Sequence, residues 1–248
     1  MAGNSGLIEV RDRGRVNGFG PRWRKEIHTW WVTRSWLVKL FIWIIVVDGL
    51  LVMITFAAPL MEAGDSGQNA AEEPLEQTNL TMFFLFASIF PAFGVIIFGP
   101  EGIVEERKMG TAAWILSKPV SRLAFLLSKL CAQALGILLT MVLVQGIIGY
   151  ILYTAATGIR LSIGGLLAGE SLVYLFLLFF LTLNLMLGTF FHTRGPVVAI
   201  PLGLISISFL AVSTPVLGSI WPTTMVMSFH PPQLSLAAAL ALGQPLTS

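Results

Sequence analysis

Charge is what this chain has least of. Its 248 residues include 15 basic and 13 acidic side chains, or 11% charged, where a soluble domain carries about 25%. Apolar types make up 55% and the mean hydropathy is +0.82, which excludes an ordinary soluble fold and makes the chain an integral membrane protein. The lone Cys131 excludes an intrachain disulfide, and three histidines with one thiol give no basis for a structural zinc site. None of the five lysines follows a glycine, so there is no GxxxxGK[ST] phosphate loop. HExxH and GxSxG are also missing, and no nucleophile with a neighbouring base emerges. The chain is therefore expected to be neither an ATPase nor any other enzyme, to hold no cofactor or metal, and to bind no nucleic acid.

What is present is a succession of charge-poor stretches near the length, about 20 residues, that a helix needs to cross about 30 Å of hydrocarbon. They predict an all-α, polytopic membrane helix bundle with spans at about 37–60, 79–100, 124–154, 171–191 and 196–217. A flexible arm, 1–21, and an interfacial helix, 22–36, precede them, so that the membrane domain covers 22–248. The last 54 residues carry no formal charge but are broken by Pro215, Pro222, Pro231, Pro232 and Pro245, and no complete sixth span is expected. The apolar run from Leu234 to Leu242 reaches only about 14 Å as a helix, which fits an outer re-entrant or interfacial element within 218–248. Lysine and arginine set the orientation. Residues 1–39 hold eight, the 61–78 loop none, the stretch 101–129 five, and the loop after the third span one, so the N-terminus is expected in the cytoplasm of a cell-membrane protein.

Several segments stand out. Arg22 to Trp36, RWRKEIHTWWVTRSW, places Trp23, Ile27, Trp30 and Trp31 at helical spacing between basic residues, as in an amphipathic helix resting on lipid headgroups. It serves either as a topological anchor or as a lever that feels a partner. The cytoplasmic loop 101–122 reads as two short helices parted by Gly110, with Glu101, Glu105 and Glu106 at the start of the first and Arg107 at its end. Trp114 and Ile115 among its charges fit a docking knob better than a plain solvated loop. Asp48 sits near the middle of the first span, where an Asp costs about 2.5 to 3.5 kcal/mol on the insertion scale. Structural pairing and contact with a substrate or proton are both open for it, and no Lys or Arg lies at matching depth in another span. Glu170 is expected at the interface. Asn79-Leu-Thr81 is a glycosylation triplet against the membrane, and Gly165-xxx-Gly169 a weak helix-contact signal at a span's edge.

These residues resemble the permease subunits of ATP-binding-cassette transporters of the type-2 exporter class. Such subunits begin with a basic interfacial helix carrying a Glu, matched here by Arg24-Lys25-Glu26. Between their second and third spans they carry E-x-x-x-G-T-x-x-x-x-L-S-x-P-V-S-R, then an apolar stretch and a Lys. Here this reads Glu106, Gly110, Thr111, then Leu116-Ser117-Lys118-Pro119-Val120-Ser121-Arg122, with Lys129 entering the third span. The resemblance implies a permease half-transporter that pairs with a second copy or a related permease, and cytoplasmic ATPase subunits that hold the ATP and Mg. It places the partner contacts on Glu26, Glu101, Glu105, Glu106, Arg107, Gly110, Thr111, Trp114 and Ile115. Pro119, Ser121, Arg122 and Lys129 complete the motif, and outward transport is the expected direction. Asp48, Phe83, Phe86, Phe90, Ser206 and Ser208 are the pathway candidates. A membrane anchor or assembly subunit of a larger complex is the alternative.

Overall fold

The structure is a computed structural model that describes residues 18–57, 75–99, 121–212, 226 and 235–243. All regular structure among them is helical: α1 (Phe19–Val32), α2 (35–57), α3 (Leu75–Phe98), α4 (122–157), α5 (Ile163–Phe190), α6 (Arg194–Val212) and α7 (Leu236–Leu242). Four stretches are long and apolar enough to cross a membrane: Trp36–Phe56, Asn79–Phe98, Leu123–Thr157 and Ile163–Phe190. The shorter apolar α6 follows the fourth after an exposed turn at His192 and Thr193. The protein is thus an all-α membrane helix bundle.

Serine hydroxyls start three of the helices by accepting an otherwise unpaired backbone N–H three residues on. Ser121 caps α4 through Ala124 N–H at 3.0 Å, Ser162 caps α5 through Gly165 N–H at 3.1 Å, and Ser235 caps α7 through Ala238 N–H at 3.2 Å. α4 ends at Gly158 and α7 at Gly243, both at positive φ (72° and 68°), where glycine closes a helix without a Cβ penalty. The expected interfacial helix 22–36 is shorter than its pattern. It stops at Val32, and Arg34 takes φ 51° before α2 begins, because the chain must turn from one helix axis to the next. Trp36 consequently belongs to α2, and its indole reaches back across the break to donate to Trp31 O at 3.2 Å. α5, in turn, starts eight residues before the expected span, at Ile163.

Lipid tails offer helices no hydrophobic reason to associate, so close packing has to hold them. Aromatic rings seated on glycines supply much of it. Trp43 of α2 lies on Gly94 of α3, Phe83 of α3 on Gly149 of α4, Phe84 of α3 on Gly169 of α5, and Trp30 of α1 on Gly136 of α4. α5 is the hub, packed against α3, α4, α6 and α7. Only 22% of the apolar window of α2 is buried inside the protein, against 61% for α3, so α2 lies at the periphery and α3 at the centre.

Within the run expected as a re-entrant or interfacial element, Leu236–Leu242 forms α7, a two-turn element on the N-terminal part of α5, with Leu234 outside the described residues. Its carbonyl oxygens approach Gly165 (Leu240 and Ala241) and Gly169 (Ala237) so closely that a Cβ on either glycine would lie 2.6 to 2.9 Å from them. The weak Gly165-xxx-Gly169 signal is therefore the seat of α7. Gly169→Leu should overpack this seat and lower stability by about 1 to 3 kcal/mol, read as a lower unfolding temperature in detergent. Gly164→Ala, at a helical position with open space, should hold or raise it. Equal behaviour of the two variants would contradict the seating.

Candidate functional site

Two polar assemblies interrupt the apolar bundle. The first joins α1 to α4. Lys129, with its side chain 5% exposed, donates to Glu26 Oε1 at 3.1 Å, while the Glu26 side chain remains 24% exposed. Phe125, one turn before Lys129, lies under both cations, 5.5 Å from Lys129 Nζ and 5.3 Å from Arg22 Cζ. One turn beyond Glu26, Trp30 fits its indole against Gly136, where a Cβ would lie 2.6 Å from the ring. Lys39 at the start of α2 lies 4.7 Å above Trp30 and 5.8 Å from Phe98. Trp30, Lys39 and Phe98 border a mostly apolar cavity of about 60 Å³ that Gln133 also lines. Nearby, Asn184 of α5 donates to Val95 O of α3 at 3.0 Å and ties the same ends of those helices together.

The second assembly lies deeper. Asp48 is 4% exposed and faces Gln145 of α4, itself fully buried. With the Gln145 amide oriented to satisfy its surroundings, its nitrogen donates to Asp48 Oδ2 at 2.7 Å and to Oδ1 at 3.2 Å, and its oxygen faces Ile44 N–H at 3.1 Å. The backbone loosens where the two helices meet. Asp48 closes a π-helical turn, Ile44–Asp48, and Gln145 follows another, Leu138–Leu143. Such wide turns are rare and concentrate at functional positions. On the next residue of α4, Gly146, rests the carboxyl of Glu170 from α5. The expected interfacial Glu170 is instead 4% exposed, inside the bundle, because α5 begins early and α7 covers that end.

The sequence candidates divide accordingly. Glu26 from the interfacial helix and Lys129 from the loop motif meet directly, and Ser121 serves as the cap of α4, with Arg122 as its first residue. Glu101, Glu105, Glu106, Arg107, Gly110, Thr111, Trp114, Ile115 and Pro119 lie outside the described residues. Asp48 has a partner that no charge pattern could reveal, since Gln145 is neutral. Among the other pathway candidates, Phe83 is buried on Gly149, and Phe86 and Phe90 are half-buried with ring centroids 5.7 Å apart. The Ser206 and Ser208 hydroxyls donate to carbonyls of their own helix, Leu202 O and Leu204 O. Asn79 of the glycosylation triplet is buried in α3. Trp23 and Trp31 stay exposed on α1, whereas Trp30 turns into the bundle. No group of three or more metal-ligating side chains occurs among the described residues.

A family model described as "Protein of unknown function (DUF2705)" matches residues 66–244, most of the chain, and the chain belongs to that family. No curated protein and no solved structure matches it. The matched region contains Lys129, Gln145, Gly146, Glu170 and α7, while Glu26 and Asp48 precede it.

The buried pair gives a direct energetic expectation. Gln145→Leu strips the Asp48 carboxyl of its donor and should destabilise the protein by about 1 to 3 kcal/mol. Asp48→Leu should be costly for the same reason, and the double variant should cost less than the sum, with a coupling of about 0.5 to 3 kcal/mol. Strictly additive losses in a denaturation cycle would mean that the two groups do not interact.

Proposed function

We propose that this member of the DUF2705 family is a membrane-spanning permease subunit of an ATP-binding-cassette transporter. Two permease chains would form the pathway, and separate ATPase subunits carrying ATP and Mg would drive it. The observation that supports this reading most is the Glu26–Lys129 pair, because both residues belong to the pattern by which the chain resembles such permeases.

The pair also supplies a means of transmitting force. Lys129 lies two turns into α4, the helix that directly follows the 101–120 segment, and α1 is fixed to α4 there by the ion pair and about two turns further on by the Trp30 seat on Gly136. A displacement of the loop by a closing ATPase dimer would therefore move α1 and the first turns of α4 together. The left-handed residue Arg34 separates α1 from α2, so this unit can pivot without bending a continuous helix. The charge alternation of the loops puts this end in the cytoplasm, on the side where ATP is available. Glu105, Glu106 and Arg107 would supply polar contacts to the ATPase, and Trp114 and Ile115 an apolar anchor. An outward direction of transport rests on the family resemblance.

Affinity purification of the full chain from its native membranes is the decisive experiment. A co-purifying subunit with a phosphate-binding loop, and no nucleotide hydrolysis by the chain alone, is the expected result. A cofactor-bearing partner without such a loop would instead favour a membrane anchor. Within the reconstituted complex, Glu26→Lys or Lys129→Glu should each lower substrate-stimulated hydrolysis about tenfold, equivalent to about 1.4 kcal/mol, and the double reversal should recover most of it. The double variant Glu105→Lys with Glu106→Lys should weaken ATPase association most visibly at low salt, with membrane insertion intact. Unaltered affinity and hydrolysis in all these variants would reduce loop and latch to connectors.

A further inference from the structure

Two carboxyl groups are buried inside the bundle, and they are satisfied in opposite ways. Asp48 receives the Gln145 amide on both oxygens. Glu170 approaches α4 at the very next residue, Gly146, but from α5, and neither of its oxygens has a hydrogen-bond partner among the described residues. Among the described residues it forms no ion pair either, and Arg160, the basic residue nearest in sequence, is exposed in the turn before α5. α3 over 79–98 and α7 contain no titratable side chain. On the neighbouring turns of α4 the titratable groups are Tyr150 and Tyr153, and α2 contributes Asp48. On α5 itself Tyr174, one turn on, donates to Ala134 O. Lys129, the basic residue of α4 described with its side chain, lies 17 positions from Gly146, about 25 Å along the helix. Arg194 of α6 follows the opposite end of α5.

The contact is also tight. A methyl group added at Gly146 would lie 2.9 Å from Glu170 Oε1, and on the adjoining residue Gly169 the ring of Phe84 and the carbonyl of Ala237 close in to 2.5 and 2.9 Å of a built Cβ. A carboxylate placed here exchanges its hydration shell for apolar walls and gains no donor in return. A metal ion or an organic cation would need further oxygen ligands or a ring-lined space beside the carboxyl, and a proton needs neither. From this packing we infer that Glu170 is a proton-binding site, holding a proton on its carboxyl while packed from α5 against Gly146 of α4, next to the seat of α7 at Gly169. When water reaches the group, the O–H bond breaks, the electron pair stays on the carboxylate and the proton passes to water. The inference does not rest on the permease reading, since a buried proton site is compatible with transporter and anchor alike.

The test uses the full chain in detergent and in liposomes. Infrared difference spectra between wild type and Glu170→Gln, a neutral variant of nearly the same shape, should show one carboxylic-acid carbonyl band that the variant lacks. Asp48→Asn should retain that band, which separates the two carboxyls. Dicyclohexylcarbodiimide, which modifies protonated carboxyls in apolar settings, should label the wild-type peptide containing Glu170, as mapped by mass spectrometry. Labelling should fall as the pH is raised. The labelling arm needs no variant and decides the matter even where Glu170→Gln fails to fold. A carboxylate band with no acid band assignable to Glu170, or a Glu170 peptide that stays unlabelled at every pH, would overturn the inference.

Discussion

In a bilayer the helices of this protein have no water to escape, so what holds them is how closely their surfaces can fit. Glycines decide that fit. Gly94, Gly136, Gly149 and Gly169 each receive an aromatic ring from a different helix, and these contacts connect α1, α2, α3, α4 and α5. The seats consist of bare backbone, which cannot retreat as a flexible side chain would. The register of each helix against its neighbour is thereby fixed, and the polar groups fall where that register puts them. Gln145 meets Asp48 and Gly146 meets Glu170 because Gly149, one turn further along α4, is held by Phe83.

The same close packing makes polar residues consequential. Among the described residues four of them tie separate helices together: Lys129 to Glu26, Gln145 to Asp48, Asn184 to the backbone of α3 and Tyr174 to the backbone of α4. The first lies near the ends of α1 and α4, where part of the pair remains in contact with the surroundings. The second lies deep within α2 and α4, beside π-helical turns in both helices. A pair of this kind contributes modest stability, because desolvation offsets most of the attraction, yet it strongly penalises any arrangement that separates the partners.

Length, hydropathy and the near absence of charge were enough to define a helical membrane bundle, since no other structure satisfies backbone hydrogen bonds across hydrocarbon at this composition. The apolar run that contains the short final helix is visible in composition, and Glu26 and Lys129 stand out in two separate motifs. Asp48 could be flagged as costly, because a charge at mid-span is visible in one dimension. What covers a charge is not visible there. Gln145 is an unremarkable residue in an apolar run, and only the rotation of α4 against α2 makes it a partner. Glu170 reads as interfacial in sequence because it stands at the start of the fourth charge-poor stretch, whereas in three dimensions α5 begins earlier and the glycines before Glu170 are the seat of α7. Sequence by itself determined which segments are apolar and long enough to cross a membrane, because that depends on composition summed along one helix. Tertiary structure alone decided which polar groups are paired and which stand bare, because that depends on the rotation and depth of one helix against another, set by contacts between residues far apart in the chain.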